Sequence, residues 1–247
     1  MSFFEVETWR PQSGKQAQHD AMIRRWFAFV REHGELFPEW RSAQYFREVQ
    51  RNEDQGTGRY VMAFEFDSYE GHQAYKARRK GFPGPYAAYR EVDPYATFEP
   101  ESIVVNHWRP HEQNLWRTWL PTTPDSFYDV VTWTPQEGVL EAHDAVMPRW
   151  YDFVEQHHDE LFPEWCGVYY YQGVDVDDGE LIDRYRMIFE YTDRAAFLDY
   201  KERRKDYPGP YAAYLEVDPV VFFIEETKTI FHWQPHELDL WLDLTRA

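Results

Sequence analysis

The chain has 247 residues, enough to bury a core as one large domain or two small ones, and 19% of them are aromatic, which excludes a disordered chain and points to ring-lined interiors. A net charge of −18 repels phosphate backbones and excludes nucleic acid as an expected partner; the acids are dispersed, so the charge reads as solubility. No run of about 18 apolar residues offers a membrane span, the N-terminus MSFFEVETWRPQ shows no basic-then-apolar leader, and the single Cys166 can form no internal disulfide, so a cytoplasmic protein is expected.

The first element is a strand, with Phe4, Val6 and Thr8 alternating against Glu5, Glu7 and Trp9. A helix follows, carrying His19, Met22, Ile23, Trp26, Phe29 and Val30 on one face, and Pro38 lies beyond its end. Ala43 to Val49 reads as a second strand, and the polar stretch Gln50 to Gly58 as its connection to a third. That third strand presents Tyr60, Met62, Phe64 and Phe66 on one face. A second helix starts at the capping residue Ser68 and runs through Tyr75 to a basic end, Lys76 to Lys80. A Gly-Pro-Tyr turn at Tyr86 leads to a last strand from about Ile103 to Trp108, and Pro110 is placed to open a short helix carrying Leu115 and Trp116.

The same series then runs again. Thr8-Trp9 and His19-Asp20-Ala21 return 124 residues later as Thr132-Trp133 and His143-Asp144-Ala145. From Glu35-Leu36-Phe37-Pro38-Glu39-Trp40 onward the offset is 125, to Glu160-Leu161-Phe162-Pro163-Glu164-Trp165, with one residue inserted near His157-His158. Gly84-Pro85-Tyr86-Ala87-Ala88-Tyr89 matches Gly209-Pro210-Tyr211-Ala212-Ala213-Tyr214, and Asp193 takes the capping place of Ser68. A period this long is a whole small domain rather than a solenoid repeat. The expected organisation is therefore a module over residues 1–118, a Pro-containing linker over 119–126 and a second module over 127–247. Each reads β-α-β-β-α-β, so the expected class is α+β: two tandem ferredoxin-like modules that bury their bare sheet faces against each other as a pseudo-dimer.

Element order, the run Phe64-Glu65-Phe66-Asp67-Ser68 through Tyr89, and its twin Phe189-Glu190-Tyr191-Thr192-Asp193 through Tyr214 resemble the dimeric α/β-barrel superfamily, within it the antibiotic-biosynthesis-monooxygenase-like proteins. The resemblance implies a pocket between the sheet and the two helices of each module. It also implies small-molecule chemistry: cofactor-independent quinone-forming oxygenation, haem degradation, polyketide cyclisation or lactone isomerisation. The haem-degrading members use a strand Asn with a helix Trp and His; the first strands here offer Glu5, Glu7 and Thr8, or Asp129, Val131 and Thr132, so that branch is not expected.

His19 and His143 head the apolar helix stripes and are the candidate acid/base groups, since imidazole titrates near neutrality; the alternative is a histidine satisfied by bonds near a helix start. Trp26, Trp150, Tyr45, Tyr170, Tyr86 and Tyr211 are candidate walls for a planar substrate, with ordinary core packing as the alternative. His107 and His111, with twins His232 and His236, have a His-x3-His spacing, but the Pro between them breaks the geometry a metal pair needs, so no metal is expected. Glu65 and Glu190 are read as partners of Arg59 and Arg184, and Arg78-Arg79 and Arg203-Arg204 as solvated helix ends. There is no P-loop, no Gly-x-Gly-x-x-Gly, no Gly-x-Ser-x-Gly and no Cys-x-x-Cys, and no bound cofactor is expected. The functional expectation is an enzyme on an aromatic or polyketide-like small molecule (a cofactor-independent monooxygenase, cyclase or isomerase), with a homodimer of the fused chain as its assembly. A non-catalytic ligand-binding or stress-response barrel is the alternative.

Overall fold

The structure, a computed structural model, describes residues 1–53, 55–111 and 115–245. In chain order the first half contains β1 (Phe3–Trp9), α1 (Gln16–Glu32), β2 (Trp40–Val49), β3 (Gly56–Phe66), α2 (Tyr69–Arg79), α3 (Tyr86–Val92), β4 (Val104–Pro110) and β5 (Trp116–Thr118). The second contains β6 (Phe127–Trp133), α4 (Leu140–Leu161), β7 (Trp165–Val174), β8 (Leu181–Tyr191), α5 (Arg194–Arg204), β9 (Thr229–Pro235) and β10 (Leu242–Asp243), with 3-10 turns at Gly209–Glu216 and Pro219–Phe222. Among the described residues no helix is long and apolar enough to cross a membrane.

All the strand pairings are antiparallel, and they close on themselves: β2-β3-β1-β4-β7-β8-β6-β9 and back to β2. Corresponding strands share one register. Phe3 faces Phe66 and Trp9 faces Tyr60 across β1 and β3; Phe127 faces Tyr191 and Trp133 faces Tyr185 across β6 and β8. The two seams are reciprocal. Trp108 of β4 pairs with Gly173 of β7, and Trp233 of β9 pairs with Glu48 of β2. Closure leaves these sheet edges paired, which is how a barrel avoids exposed backbone donors.

Strand alternation sorts the side chains into three layers. Phe3, Trp9, Tyr45, Met62, Phe64 and Phe66 turn outward beneath α1 and α2, and Trp133, Tyr170, Met187 and Tyr191 do the same beneath α4 and α5. Val6, Phe46, Val61, Trp108, Tyr128, Tyr171 and Trp233 turn inward and fill the barrel. Apolar burial of this kind stabilises by roughly 25 cal/mol per Å2, which is what holds two-sided sheets closed. Ser68 accepts from the Gly71 N–H at 2.9 Å and Asp193 from the Ala196 N–H at 2.8 Å, so both expected caps of α2 and α5 are made.

One element differs from expectation. Pro110 and Pro235 end strands β4 and β9 rather than open a helix. Trp116 lies in β5 paired to β7; residues 112–114 of the expected helix lie outside the described residues. In the second half a 3-10 turn at Leu238–Leu240 leads to β10, which pairs with β2. The indoles fix these crossings: Trp116 Nε1 donates to the Tyr170 carbonyl at 3.1 Å, and Trp241 Nε1 to the Tyr45 carbonyl at 3.0 Å.

Candidate functional site

Each half has a hollow between its sheet and its helices, and the two differ greatly in size. The first is about 20 Å3, lined by Glu5, Glu7, Trp26, Arg79 and Tyr95 among others. The second is about 270 Å3 and is lined at corresponding positions by Asp129, Val131, Trp150, Arg204 and Val220. Two substitutions contribute directly. In the first half the Tyr95 hydroxyl reaches in and donates to the Glu7 carboxylate. Val131 and Val220 stand at those places in the second half, and neither side chain reaches across.

The larger hollow has flat apolar walls from Trp133, Trp150, Trp165, Phe189 and Tyr191. Four cations line it: Lys201 and Arg204 of α5, Lys228, and Arg51, which comes from the hairpin of the other half. The Lys201 ammonium lies 2.9 Å from Asp129 Oδ2, and His232 Nε2 lies 3.5 Å from Oδ1. Burial pushes the Lys201 ammonium below its ordinary value, against the pull of Asp129. Arg204 lies over the rings of Tyr200, Tyr207 and Tyr214 and is 3.7 Å from Asp218.

Of the residues singled out in the sequence, Trp150 lines the large hollow and Trp26 the small one, where its Nε1 donates to the Tyr89 hydroxyl at 2.9 Å. His19 and His143 are fully buried one layer behind, and neither lines these hollows. His143 Nε2 accepts from Trp133 Nε1 at 3.1 Å and its Nδ1 faces Asp144 at 2.9 Å. His19 Nδ1 is 3.0 Å from the Thr97 hydroxyl, which donates to the Pro94 carbonyl, and Nε2 is 3.1 Å from the Tyr45 hydroxyl. Burial lowers both imidazoles, His19 to about 4. Tyr45 stacks between Trp9 and Tyr60, and Tyr170 between Trp133 and Tyr185, as layers of the aromatic core.

Tyr86 and Tyr211 face away from both hollows. Their hydroxyls donate to the Leu36 and Leu161 carbonyls at 2.5 and 2.6 Å and accept from Arg78 and Arg203 Nε at 2.9 Å. Those arginines are also ion-paired to Glu39 and Glu164, so they are not the solvated helix ends expected. Glu65 and Glu190 point into the barrel instead of toward Arg59 and Arg184. Glu65 accepts from Ser2 and Ser42, while Arg59 lies 3.7 Å from Glu48 and Arg184 donates to Asn106.

The His-x3-His pairs are not brought together. His111 packs on Tyr170 and His236 on Tyr45, whereas His107 turns to the helix side and meets His72 on Glu5. Glu5 Oε2 is 2.9 Å from His72 Nε2 and 3.2 Å from His107 Nε2. This is the one group among the described residues with a metal-ligand grouping, but the Lys76 ammonium lies 2.8 Å from the same oxygen, where a cation would bind. Burial alone would raise the Glu5 carboxyl; the two histidines and Lys76 hold it well below the usual range. The second half has Phe197 in place of His72 and cannot repeat the grouping. Glu5 and His72 meet only through β1–α2 packing, so no local pattern in the sequence marks them as partners.

No family model matches the chain, and no curated protein matches it. Solved structures match over nearly its whole length. An anthrone oxidase-like protein superposes with a TM-score of 0.62 at 13% identity, covering 99% of this chain and 94% of its own. A provisionally named monooxygenase from Lactobacillus acidophilus NCFM gives 0.59 at 8% identity, covering 98% and 96%. Chlorite dismutase from Candidatus Nitrospira defluvii gives 0.55 at 9% identity, covering 97% and 93%. At such identities the likeness establishes the fold alone, a mixed α+β barrel.

Proposed function

We propose that this protein is a small-molecule oxidase-type enzyme that takes a planar aromatic substrate with an acidic oxygen in the hollow of its second half. The observation that carries this is the difference between about 270 Å3 there and about 20 Å3 in the first half. Ring walls suit a flat substrate, and Lys201, Arg204, Lys228 and Arg51 give the positive field that favours a phenolate or enolate. Asp129, held between Lys201 and His232, is the group placed to take the substrate proton. Dioxygen is the oxidant. A ring methylene loses both C–H bonds and gains a C=O bond; the second oxygen leaves as water carrying the two hydrogens. His143 then serves as a positioning residue, holding Trp133 in the wall through its Nε2. The names of the anthrone oxidase-like and monooxygenase neighbours agree with this chemistry.

On this proposal the chain is a fused pair of ferredoxin-like modules, 1–118 and 127–247, of which the second keeps the working pocket. The shared register and the reciprocal Trp116 and Trp241 bonds support it. The test uses anthrone as probe, followed by quenching of tryptophan fluorescence and by oxygen uptake. The wild type is expected to bind it and to consume equimolar oxygen. Val220→Tyr, which copies Tyr95 into the open hollow, is expected to weaken binding by at least about tenfold, while Tyr95→Val leaves it unchanged. Binding without oxygen uptake would leave only a ligand-binding barrel, and no binding at all would remove the site.

A further inference from the structure

The barrel lumen holds a third cavity, about 160 Å3, separate from the two hollows beneath the helices. Its unusual feature is Arg186 on β8, 5% exposed and inside a barrel of mostly apolar residues. Its Nη1 has no hydrogen-bond partner, and among the described residues no carboxylate lies within ion-pair distance of it. Its Nε donates to the Thr132 hydroxyl at 3.4 Å, and the guanidinium lies 4.0 Å over the Trp108 ring and 5.7 Å from that of Trp233, with Nη1 left for something else. Burial, then the neighbouring Arg184, pushes the guanidinium down to about 9. Val61 stands at the matching place in the first half, so the fold does not require a cation here.

Four residues along the same strand face is Glu190, 1% exposed. Its Oε2 accepts from the Tyr169 hydroxyl at 2.9 Å, and its Oε1 has no partner. Both side chains line the lumen cavity. Leaving one buried charge unsatisfied costs several kcal/mol, and two opposite ones that do not reach each other are poor value for stability. They fit a ligand that bridges them.

We propose that the lumen is a second binding site, for a monocyclic aromatic carboxylate that also carries a hydroxyl. The carboxylate accepts from the in-plane edge of Arg186, the geometry in which arginine binds such groups best. The ring lies among Phe4, Phe46 and Tyr171, in a volume close to the roughly 150 Å3 that accepts a benzene ring in other proteins. The hydroxyl donates to Glu190 Oε1. Thr122, from the connection between the halves, lines the same cavity and sits 3.3 Å from the Tyr128 hydroxyl, which places that connection at the lumen mouth.

The test is calorimetric titration of the whole chain with 4-hydroxybenzoate, benzoate and phenol. The wild type is expected to bind 4-hydroxybenzoate more tightly than either of the others. Arg186→Met, which keeps the stem and removes the charge, should weaken both carboxylates by about 100-fold and leave the phenol affinity as it was. Its melting temperature should equal or exceed that of the wild type, which separates lost binding from lost folding. Glu190→Gln should bind benzoate normally and lose the preference for the hydroxyl. Val220→Tyr, blocked in the helix-side hollow, should bind 4-hydroxybenzoate as the wild type does. The proposal fails if the wild type binds none of the carboxylates, if Arg186→Met binds them with wild-type affinity, or if Val220→Tyr abolishes binding.

Discussion

Glu7 lies buried beside Glu5, with Lys76 and Arg79 near it and the Tyr95 hydroxyl donating to it. Burial, then the Glu5 charge, raises its carboxyl from 4.5 to about 7. The folded state therefore holds a proton that an unfolded glutamate releases, and stability falls as pH rises from about 4.5 through about 7. The loss is on the order of 3 kcal/mol; because the buried histidines shift stability the other way over part of this window, it is read as a difference, the wild type losing that much more than Glu7→Gln between pH 5 and pH 8 in urea unfolding. His19 acts in the opposite direction. Its imidazole is lowered from 6.5 to about 4, because burial disfavours the cation. The folded state binds fewer protons across that window, so stability falls as pH drops through it. His19→Gln should flatten this acid limb. An acid limb unchanged in that variant would show that other groups, such as His236 and His143, carry it.

At the scale of the element, the caps of α2 and α5 are independent and measurable. Ser68→Ala or Asp193→Ala leaves a helix N–H without its side-chain acceptor and should cost about 1 kcal/mol in denaturant unfolding. These caps were legible in the sequence because capping is local: a short polar residue followed by a helical stripe is enough. The strand rows Tyr60 to Phe66 and Tyr185 to Tyr191 were legible for the same reason, through their period of two. Pro110 misled because its surroundings are not local. A proline at a strand end is read as a helix start unless the partner strand is known, and its partner, Tyr171, is far along the chain. The site was legible only in part. Trp26 and Trp150 follow from helical spacing, but the second hollow arises in part from what Val131 and Val220 lack beside Glu7 and Tyr95. Position-by-position comparison of the two halves held that signal, as it held Arg186 against Val61.

The whole molecule depends on the exchange between its halves. Tyr45 of β2 receives His236 N–H and Trp241 Nε1 from the second half, and Tyr170 of β7 receives His111 N–H and Trp116 Nε1 from the first. A half on its own would expose the inward rows of its strands, and burying those rows is what drives closure. The two halves are not equally able to close on a second copy of themselves. A first-half homodimer would bring Val61 into the lumen twice, together with two Glu65 side chains that Ser2 and Ser42 already hydrogen-bond. A homodimer of the second half would bring two Arg186 and two Glu190 side chains into one low-dielectric space, where among the described residues neither is ion-paired even singly. Expressed separately, residues 127–247 should therefore be unstable or aggregate, and mixing them with residues 1–126 should restore a one-to-one complex with native circular dichroism. Light scattering coupled to gel filtration reads the outcome. A second-half fragment that forms a homodimer melting as high as the intact chain would mean that Arg186 is tolerated in pairs, and that lumen charge does not set which halves associate.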